Sequence, residues 1–489
     1  MSSRETAGGG PRVVVVGGGI SGLTAAFQLL RERSDAEVMV LEREDRAGGT
    51  ATSDAVDGFL VDRGPNGFLT NVPDAYNLSL ELGLQDELLP ASEAAGKRFL
   101  FFGGRLVPVP TGAGALLRSP LLSPRGKARM ALEPFLPAAG AQREESVHGF
   151  AARRLGREFA DVMVAPMVAG VSAGDARQSS LQALFPRMHR LEAEHGGLVR
   201  GMLAQQRARK AAKARGEPAG RVAGGPSGPG GRLTSFRRGG AGRLTRALAD
   251  ALRGSVHLGV NVESLERGAE RRLRVVTSAG SGGAAPGGVP RIVEADAVIV
   301  ATPAYVAAEL LRGVAPDAVG PLEAVPYAGI RVVALGFPRA AVPRSLDGFG
   351  FLVPPGQGLR ILGSLWTSTL FPPQAPEGMV LLRSLAGGMG DPGFLDLDED
   401  EAIDAVRGDL RTSLGVAAEP AMAHVVGWRR GIPQYTLGHR ERVEAATEAA
   451  GSVPGLALTG NAYRGIGLND CVRDARAVGR EVAGRLEPA

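Results

Sequence analysis

The sequence predicts a mixed fold, α/β together with α+β, in which a parallel sheet with glycine turns is combined with an antiparallel sheet and a helical segment. Three observations lead to this prediction. Residues 12–60 read as strand, glycine turn, helix and strand, residues 111–210 are dominated by helical patterns, and residues 330–385 contain several short β-type runs. At 489 residues the chain is long enough for about two or three domains.

Both ends of the chain are predicted to enter one α/β domain. The N-terminal part runs from the strand VVVV through GGGISG and an apolar-periodic helix to the strand EVMVLE, which makes a βαβ unit. The C-terminal part, GLALTGNAYRGIGLNDCVRDARAVGREVAGRL, again has the order strand, glycine loop and helix. We therefore predict a discontinuous domain of residues 12–90, 232–305 and 425–489.

The rest of the chain is divided by its composition. Residues 1–11 are predicted to form a flexible tail. Residues 91–110 and 306–424 carry β-type runs such as RVVALGF and MVLLRSLAGG, and we assign them to an antiparallel-sheet domain. Residues 111–231 are assigned to a helical domain that ends in a disordered connector, 211–231, rich in Ala, Gly, Pro and Arg.

Bulk properties narrow the class of protein. The net charge of +5 and the pI of about 9.7 indicate either an anionic partner or a coding preference for arginine. The single cysteine, Cys471, excludes an intrachain disulfide, and no histidine pair has metal-ligand spacing, so we predict no metal site. No apolar run reaches the ~18 residues of a spanning helix, and VVVV is too short for an export signal. Aromatic residues make up only 5%, which disfavours a nucleic-acid partner.

The first glycine turn predicts a dinucleotide site of the Rossmann type. Gly17 permits the tight turn after the strand, Gly19 lets a pyrophosphate approach the backbone, and Gly22 allows close packing of helix on strand. Glu42 ends the next strand, twenty residues beyond Gly22, where a carboxylate accepts ribose hydroxyls. The predicted cofactor-binding residues of this turn are Gly17, Gly18, Gly19, Ile20, Ser21 and Gly22.

The residues after Glu42 favour FAD over NAD as the dinucleotide. Arg46, Gly48 and Gly49 complete the pattern E-x-x-x-R-x-G-G, which adds a guanidinium and a second glycine turn beside the acidic residue. Such a pair suits a longer, extended dinucleotide. Arg43, in the same segment, is also predicted to bind the cofactor.

A third motif, Gly64-Pro65-Asn66-Gly67, has two interpretations. Local physics predicts only a turn. The functional interpretation places the motif beside the flavin ring, with the Asn66 amide facing the ring or the substrate. The sequence by itself favours the plain turn.

The fourth motif is the loop from Gly460 to Asp470, which a strand enters and a helix leaves. The N-terminus of such a helix stabilises negative charge on a reduced flavin without any charged side chain. We therefore predict cofactor contacts at Gly460, Ile466, Gly467 and Leu468. The alternative is an ordinary C-terminal helix with a glycine-rich approach.

Seven segments, in this order, resemble the oxygen-dependent protoporphyrinogen oxidases, which belong to the FAD-binding, amine-oxidase-like flavoproteins. The segments are GGGISGL, RGPNGF, KRFLFFGGRLVPVPTG, VAGVSAGD, GFGFLVP, RGIPQYTLGH and TGNAYRGIGLNDCVRDA. The resemblance covers most of residues 12–480. Two departures are small: GPNG stands for the family's GPNS, and Ser172-Ala173-Gly174-Asp175 stands for its YAGD.

The resemblance implies an enzyme with one non-covalent FAD that oxidises protoporphyrinogen IX to protoporphyrin IX in haem biosynthesis, with O₂ as acceptor and H₂O₂ as by-product. Hydride would pass from a methylene bridge to the flavin, without an obvious side-chain base. The resemblance places substrate contacts at Arg98, Gly170, Leu352, Phe371 and Asn66, and further cofactor contacts at Val262 and Trp428.

Several alternatives stay open at this point. Coproporphyrinogen III, with four propionates, is the nearest rival substrate, and a flavin-stabilised porphyrin carrier without oxidase activity is a rival of another class. Lys97 and Arg98 could be a solvated basic pair instead of a propionate site. The helical domain combines apolar runs with arginines, as in proteins that lie on a membrane, but it could also be a plain packed domain. We expect a cytoplasmic protein on the inner face of the cell membrane, and a homodimer is compatible with the sequence.

Overall fold

A computed structural model describes residues 10–140, 144–215, 231–269, 272–278 and 288–487. Most of the predicted tail, and residues 216–230 of the predicted connector, lie outside these ranges. Within them the strands are β1 Arg12–Val16, β2 Glu37–Leu41, β3 Ser53–Val56, β4 Phe59–Asp62, β5 Phe68–Leu69, β6 Leu88–Pro90, β7 Phe99–Phe102, β8 Arg105–Pro108, β9 Leu233–Phe236, β10 Val256–His257, β11 Val262–Arg267, β12 Leu273–Thr277, β13 Ile292–Ala295, β14 Ala297–Val300, β15 Tyr327–Pro338, β16 Gly350–Leu352, β17 Ile361–Trp366, β18 Met379–Gly387, β19 Met422–Pro433 and β20 Leu456–Leu458.

The helices in the same ranges vary widely in length. They are α1 Ile20–Glu32, α2 Asp74–Glu81, α3 Ala113–Arg118, α4 Pro124–Ala131, α5 Val147–Leu155, α6 Arg157–Phe159, α7 Ala165–Ser172, α8 Leu181–Leu184, α9 Pro186–His195, α10 Leu198–Ala214, α11 Gly242–Ala251, α12 Ala304–Leu311, α13 Pro316–Glu323, α14 Thr367–Leu370, α15 Glu399–Leu414, α16 His439–Gly451 and α17 Leu468–Arg485. A π-helical turn, Ala160–Val164, joins α6 to α7.

A five-stranded parallel sheet has the order β10-β2-β1-β14-β20. Strand β1 lies in its centre and pairs with β2 on one side and β14 on the other. Val13, Val14 and Val15 have no exposed surface, because helices cover both faces of the sheet, and a continuous apolar run suits such a strand. Since β20 pairs with β14, strands from both chain ends enter this sheet.

The first and last long helices, α1 and α17, pack closely on the same side of the parallel sheet. Gly479 of α17 faces the backbone of α1, and a β-carbon on it would lie 2.7 Å from the Ala25 carbonyl oxygen. Only a glycine permits this approach. The C-terminal helix is thereby held beside the first glycine turn.

A seven-stranded sheet, β19-β15-β18-β17-β16-β7-β8, forms the second layer. It is antiparallel except where β16 runs parallel to β7, with Phe351 opposite Phe99. The purely antiparallel sheet predicted from the sequence is therefore wrong at this pair, which joins two distant parts of the chain. Helix α15 covers one face of the sheet, where Val406 and Leu410 pack with Leu382 in one apolar core.

Three predicted domain boundaries are wrong. Helices α12 and α13 fall in the predicted antiparallel-sheet domain, yet Ala307 and Leu311 share a core with Val14 and Val300 of the parallel sheet. The boundary at 425 cuts through β19, whose register with β15 continues across it. Residues 211–214 of the predicted connector form the last turn of α10. Sequence composition predicted these three boundaries, but packing, strand pairing and the continuation of a helix set them in the structure.

The helical segment from α3 to α10 covers the other face of the seven-stranded sheet. Side chains alternate along β7, so Phe101 joins the core under α15 whereas Leu100 packs with Val162 and Leu352. The π-helical turn and α7 therefore face the side of the sheet that carries Leu352.

Candidate active site

The two glycine turns that follow β1 and β2 are in direct contact. The Gly48 N–H donates to the Gly18 carbonyl oxygen at 2.8 Å, and Gly19 and Gly48 form an isolated parallel bridge. A β-carbon on Gly22 would lie 1.9 Å from the Gly17 carbonyl oxygen, so the helix can start here only with a glycine. The sequence motifs around Gly19 and Gly48 thus form one concave backbone surface.

This surface leaves room for a phosphate. Gly19 is the residue before α1 and makes no side-chain cap, so the first N–H groups of a thirteen-residue helix point outward. A β-carbon on Gly19 would have nothing within 4 Å. An open space at a helix N-terminus fits the pyrophosphate of a dinucleotide. Ile20 and Ser21 form the first turn of this helix.

Glu42 is anchored beside the glycine turn. One carboxylate oxygen accepts the Gly18 N–H at 2.7 Å and the other accepts the Glu44 N–H at 2.9 Å. The residue is only 8% exposed. Its remaining lone pairs are held in a fixed position, which suits the ribose role predicted for it.

The two arginines after Glu42 bind carboxylates of the protein. Arg43 is exposed and pairs with Glu44, directly after Glu42, and its contact with the cofactor stays a prediction. Arg46 donates to Asp54 at 3.0 Å. It therefore lies near the second turn but is held by a protein carboxylate.

The Asp54 carboxylate has three hydrogen-bond partners beside the second glycine turn. Arg63 donates to it at 2.7 Å, and the His424 ring nitrogen lies 2.9 Å from the same oxygen. Burial acts to raise the pKa of Asp54. Hydrogen bonds from Arg63, His424 and Arg46 outweigh burial, and the pKa of this carboxyl lies below its usual value.

The turn 64–67 holds a buried polar group that has no partner within the described part of the chain. The Asn66 Nδ2 is buried without a hydrogen bond, which is costly unless a ligand accepts from it. Gly64 and Gly67 lie against backbone: β-carbons there would lie 2.3 Å from the Thr50 oxygen and 2.4 Å from the Thr234 oxygen. Pro65 completes this crowded turn. The unpaired amide fits the carbonyl edge of a flavin ring.

Two side chains of the seven-stranded sheet hold this turn. The Trp428 indole N–H donates to the Arg63 carbonyl oxygen at 3.0 Å. The buried Arg383 donates to the carbonyl oxygens of Asp62 at 2.9 Å and of Gly64 at 2.5 Å. The family resemblance named Trp428 as a cofactor contact, whereas Arg383 was missed, although a lone arginine inside the apolar strand MVLLRSL is an unusual signal.

The C-terminal loop is closed by a tyrosine that sequence reasoning also missed. The Tyr435 hydroxyl donates to the Asn461 carbonyl oxygen and accepts the Gly465 N–H, both at 2.7 Å. Tyr435 lies just after the end of β19, within the segment RGIPQYTLGH. The hydroxyl therefore clamps both ends of the loop that leads into α17.

The N-terminus of α17 is open, as a flavin contact would require. Gly467 precedes the helix without a side-chain cap, Ile466 is half-buried and Leu468 is buried. Gly460, at the loop entry, has φ +146, which favours glycine. These four predicted residues lie together at one end of an eighteen-residue helix.

Gly170 and Leu352, two predicted substrate residues, are in contact. A β-carbon on Gly170 would lie 2.5 Å from Leu352 Cδ2. Leu352, Leu365 and Leu385 are half-buried and point away from the core under α15; we call them the leucine face. Arg383, which holds the turn 64–67, lies opposite Leu365 on the neighbouring strand. The leucine face thus lies next to the candidate flavin turn.

Arg98 and Lys97 have different surroundings. The Lys97 ammonium pairs with Asp347 at the surface. The Arg98 guanidinium lies 5.2 Å from the centre of the Phe349 ring, and no carboxylate of the described residues lies within ion-pair distance. Arg98 therefore has its hydrogen-bond donors available for a ligand.

Two further predicted contacts, Phe371 and Val262, lie outside the leucine face and the glycine turns. Phe371 has no exposed surface and packs with Ala91 and Leu370, so the prediction that it walls an accessible cavity is wrong in this conformation. Val262 begins β11 and packs against the core of the parallel sheet, two residues after Val260, whose N–H donates to the Glu42 carbonyl oxygen at 2.8 Å. Val262 therefore lies near Glu42.

Comparison with known proteins agrees with this geometry. The family model "Flavin containing amine oxidoreductase" matches residues 20–483. The chain is 31% identical to coproporphyrinogen III oxidase of Bacillus subtilis, over 96% of this chain and 97% of the relative. It is 33% identical to human protoporphyrinogen oxidase, over 97% and 99%. A solved structure from Exiguobacterium superimposes with a TM-score of 0.80 at 25% identity, over 97% of this chain and 98% of that one. The chain therefore belongs to the flavin-containing amine oxidoreductases, in the group that holds the protoporphyrinogen and coproporphyrinogen III oxidases.

Proposed function

We propose that the protein binds one FAD non-covalently and oxidises protoporphyrinogen IX to protoporphyrin IX in haem biosynthesis, with O₂ as acceptor. Six hydrogens leave the porphyrinogen, and three O₂ become three H₂O₂. Coproporphyrinogen III is the second candidate substrate, because the Bacillus relative is named as its oxidase. The leucine face and the turn 64–67 meet at Arg383, which supports a flat apolar substrate beside a flavin most directly.

The residues of the chain bind and orient the reactants. A bound flavin supplies the acceptor for two electrons at a time. Gly170 packs on Leu352 at the edge of the leucine face, and such an apolar surface suits one side of a flat macrocycle. Arg98 offers a planar guanidinium to a propionate. Positioning and burial would then provide most of the catalysis.

Anaerobic mixing tests the oxidation directly. Purified protein, reconstituted with FAD, is mixed with each porphyrinogen while the flavin absorption is recorded. We expect bleaching, and after admission of air about three H₂O₂ for each porphyrin, which is the ratio of the balanced reaction. A flavin that stays oxidised with both substrates would refute the proposal. Porphyrin binding without peroxide would favour the carrier.

We also propose that the helical segment rests on the inner face of the cytoplasmic membrane. No helix in the described ranges is long and apolar enough to cross a membrane. Large exposed apolar side chains are concentrated here, at Leu117, Leu132, Phe135, Met202 and Leu203. The same segment carries exposed cations at Arg118, Arg125, Arg207 and Lys210. Apolar and cationic groups side by side suit an anionic lipid surface.

Vesicle flotation tests this surface. The wild-type protein should float with vesicles that contain anionic lipid, and the double variant Leu117→Ser/Phe135→Ser should float less, because these side chains are 67% and 80% exposed. Leu80→Ser is the matched control, since Leu80 is 41% exposed on α2, outside the helical segment. Equal flotation of all three proteins, or none with any vesicle, would contradict a membrane contact here.

A further inference from the structure

A short piece of chain, residues 434–438, connects the helical segment to the C-terminal loop, and we call it the strap. It begins directly after β19 and ends where α16 starts. On one side it is bonded to the helical segment, at residues 172–180 and at Glu144. On the other side the Tyr435 hydroxyl is bonded to the C-terminal loop. The strap therefore lies between two parts of the protein that are far apart in the sequence.

The backbone of the strap pairs with the connection between α7 and α8. The Ser180 N–H donates to the Tyr435 carbonyl oxygen at 2.7 Å, and the Leu437 N–H donates to the Gln178 carbonyl oxygen at 3.1 Å. An antiparallel bridge lies between these two hydrogen bonds. The helical segment thus fixes the path of the strap backbone.

Two side-chain hydrogen bonds reinforce this pairing, one at each end of the strap. Gln434 is 3% exposed and donates from its side-chain amide to the Ser172 carbonyl oxygen at 2.9 Å. Ser172 is the last residue of α7, the helix that carries Gly170. At the other end, the Glu144 carboxylate accepts the Gly438 N–H at 2.9 Å. The strap is therefore attached to the helix that contributes a predicted substrate contact.

The Tyr435 side chain reaches from the strap to the C-terminal loop. Its hydroxyl is bonded to the Asn461 carbonyl oxygen and to the Gly465 N–H, both at 2.7 Å. Gly465 lies against the first turn of α17, where a β-carbon on it would collide with the Asp470 side chain. The His439 ring stacks on the tyrosine ring, with 3.8 Å between centroids. One hydroxyl group thus holds the loop at the N-terminus of α17.

We infer that Tyr435 is a positioning residue, which couples the helical segment to the C-terminal loop and thereby holds the N-terminus of α17 at the flavin. This inference rests on the flavin site of the proposed function, but not on the choice of porphyrinogen. A helix N-terminus stabilises negative charge only within about one turn, so its position affects the stability of a reduced flavin. A shift of α7 reaches the same loop through Gln434.

Tyr435→Phe tests the hydroxyl group. The variant keeps the ring and its stack on His439 but loses both hydrogen bonds to the loop. In the apoprotein, we expect the amide hydrogens of residues 461–467 to exchange roughly tenfold faster, because both hydrogen bonds of a buried hydroxyl are lost. With FAD bound, the equilibrium constant for two-electron reduction should fall roughly tenfold, which corresponds to a midpoint potential about 30 mV more negative.

Tyr463→Phe is the matched control. Tyr463 lies in the same loop and is 4% exposed, as is Tyr435, but its hydroxyl has no hydrogen-bond partner within the described ranges. Because this substitution removes no hydrogen bond, exchange of the loop should stay within about twofold of the wild type and the midpoint potential should not change.

Glu144→Ala tests the coupling from the side of the helical segment. It removes the acceptor of the Gly438 N–H without touching the loop, and exchange of residues 461–467 should become about threefold faster because one anchor of the strap is lost. Glu158→Ala is its control, since Glu158 lies in the same segment and is bonded to Ser123 instead of the strap. It should leave exchange of the loop unchanged.

Three results would overturn the inference. They are unchanged exchange of the loop in Tyr435→Phe, a loop that responds to Tyr435→Phe but not to Glu144→Ala, and faster exchange without any change of the midpoint potential. If the wild type binds no flavin, the proposed function fails, while exchange in the apoproteins still decides whether the helical segment holds the loop through Tyr435.

Discussion

Gly170 of α7 lies directly against Leu352 of β16, so close that a β-carbon on the glycine would be 2.5 Å from the leucine Cδ2. This contact joins the helical segment to the seven-stranded sheet. Leu352 also closes over Gly363 of the next strand, where a β-carbon would be 2.9 Å from the same methyl group. Two glycines therefore make room for one methyl group of Leu352 and fix its position on the leucine face.

Gly170→Ala should reduce porphyrinogen oxidation without unfolding the protein. An alanine inside a helix stabilises it by about 0.5–1 kcal/mol relative to glycine, but the methyl group displaces Leu352 on the leucine face. One misplaced methyl group costs about 1–3 kcal/mol of transition-state binding, so kcat/KM should fall at least about tenfold. Steady-state kinetics and thermal melting measure the two effects. Gly170→Ala/Leu352→Ala should recover activity, and strictly additive losses would contradict the contact.

Gly19→Ala and Gly22→Ala should separate cofactor binding from folding. Gly19 has φ −74 and open space around a β-carbon, so the Gly19→Ala apoprotein should melt like the wild type. Its flavin affinity should fall at least about tenfold, or about 1.4 kcal/mol, because the methyl group occupies the phosphate space. Gly22→Ala should lower stability by about 1–3 kcal/mol, since the methyl group meets the Gly17 oxygen at 1.9 Å. Normal flavin binding by Gly19→Ala would contradict the predicted phosphate position.

The turns at the ends of β1 and β2 could be read from the sequence because their causes are local. Gly17 and Gly22 are required by contacts within one βα turn, and Glu42 ends the adjacent strand. A short motif contains all the information for such a site. The contact between Gly19 and Gly48 follows once β1 and β2 are paired in parallel.

The residues that were missed or misplaced depend on distant parts of the chain. Arg383 is recognisable as a holder of the turn 64–67 only when β18 lies beside β17 and the turn is packed against both. Tyr435 clamps a loop that begins about 26 residues later, which no local pattern encodes. Phe371 was misplaced because an apolar residue in a loop has the same sequence signal whether it lines a cavity or fills a core.

The stability of the helical segment should be most sensitive to substitutions in the buried pair of Glu133 and Arg154. Both side chains have no exposed surface, and Glu133 also accepts the N–H groups of Leu198 at 2.8 Å and Val199 at 3.1 Å. Glu133→Gln removes the nearer carboxylate of a buried guanidinium that keeps only Glu192 at 3.4 Å as an ionic partner, and it should cost about 3 kcal/mol. Glu133→Gln/Arg154→Met should recover part of this loss.

Denaturant unfolding, together with hydrogen exchange of α5 and α10, measures this effect. Glu37→Gln is the control, because Glu37 pairs with Arg12 at the surface, and it should change the free energy of unfolding by less than about 1 kcal/mol. If Glu133→Gln costs no more than the control, the buried pair does not hold the helical segment together.

His439 should make the protein less stable as the pH falls from about 6.5 to about 4. The ring is 1% exposed and stacks on Tyr435 with 3.8 Å between centroids. Burial, assisted by the charge of Arg442, lowers the pKa of His439 to about 4. Between these pH values the unfolded chain binds a proton that the folded chain does not. The free energy of unfolding therefore keeps its full value above pH about 6.5 and falls by up to roughly 3 kcal/mol as the pH drops to about 4.

Urea unfolding of the wild type and of His439→Phe across this pH range measures the loss. The phenylalanine keeps the stack and should abolish this part of the pH dependence, whereas identical slopes in both proteins would show that His439 protonates equally well when folded.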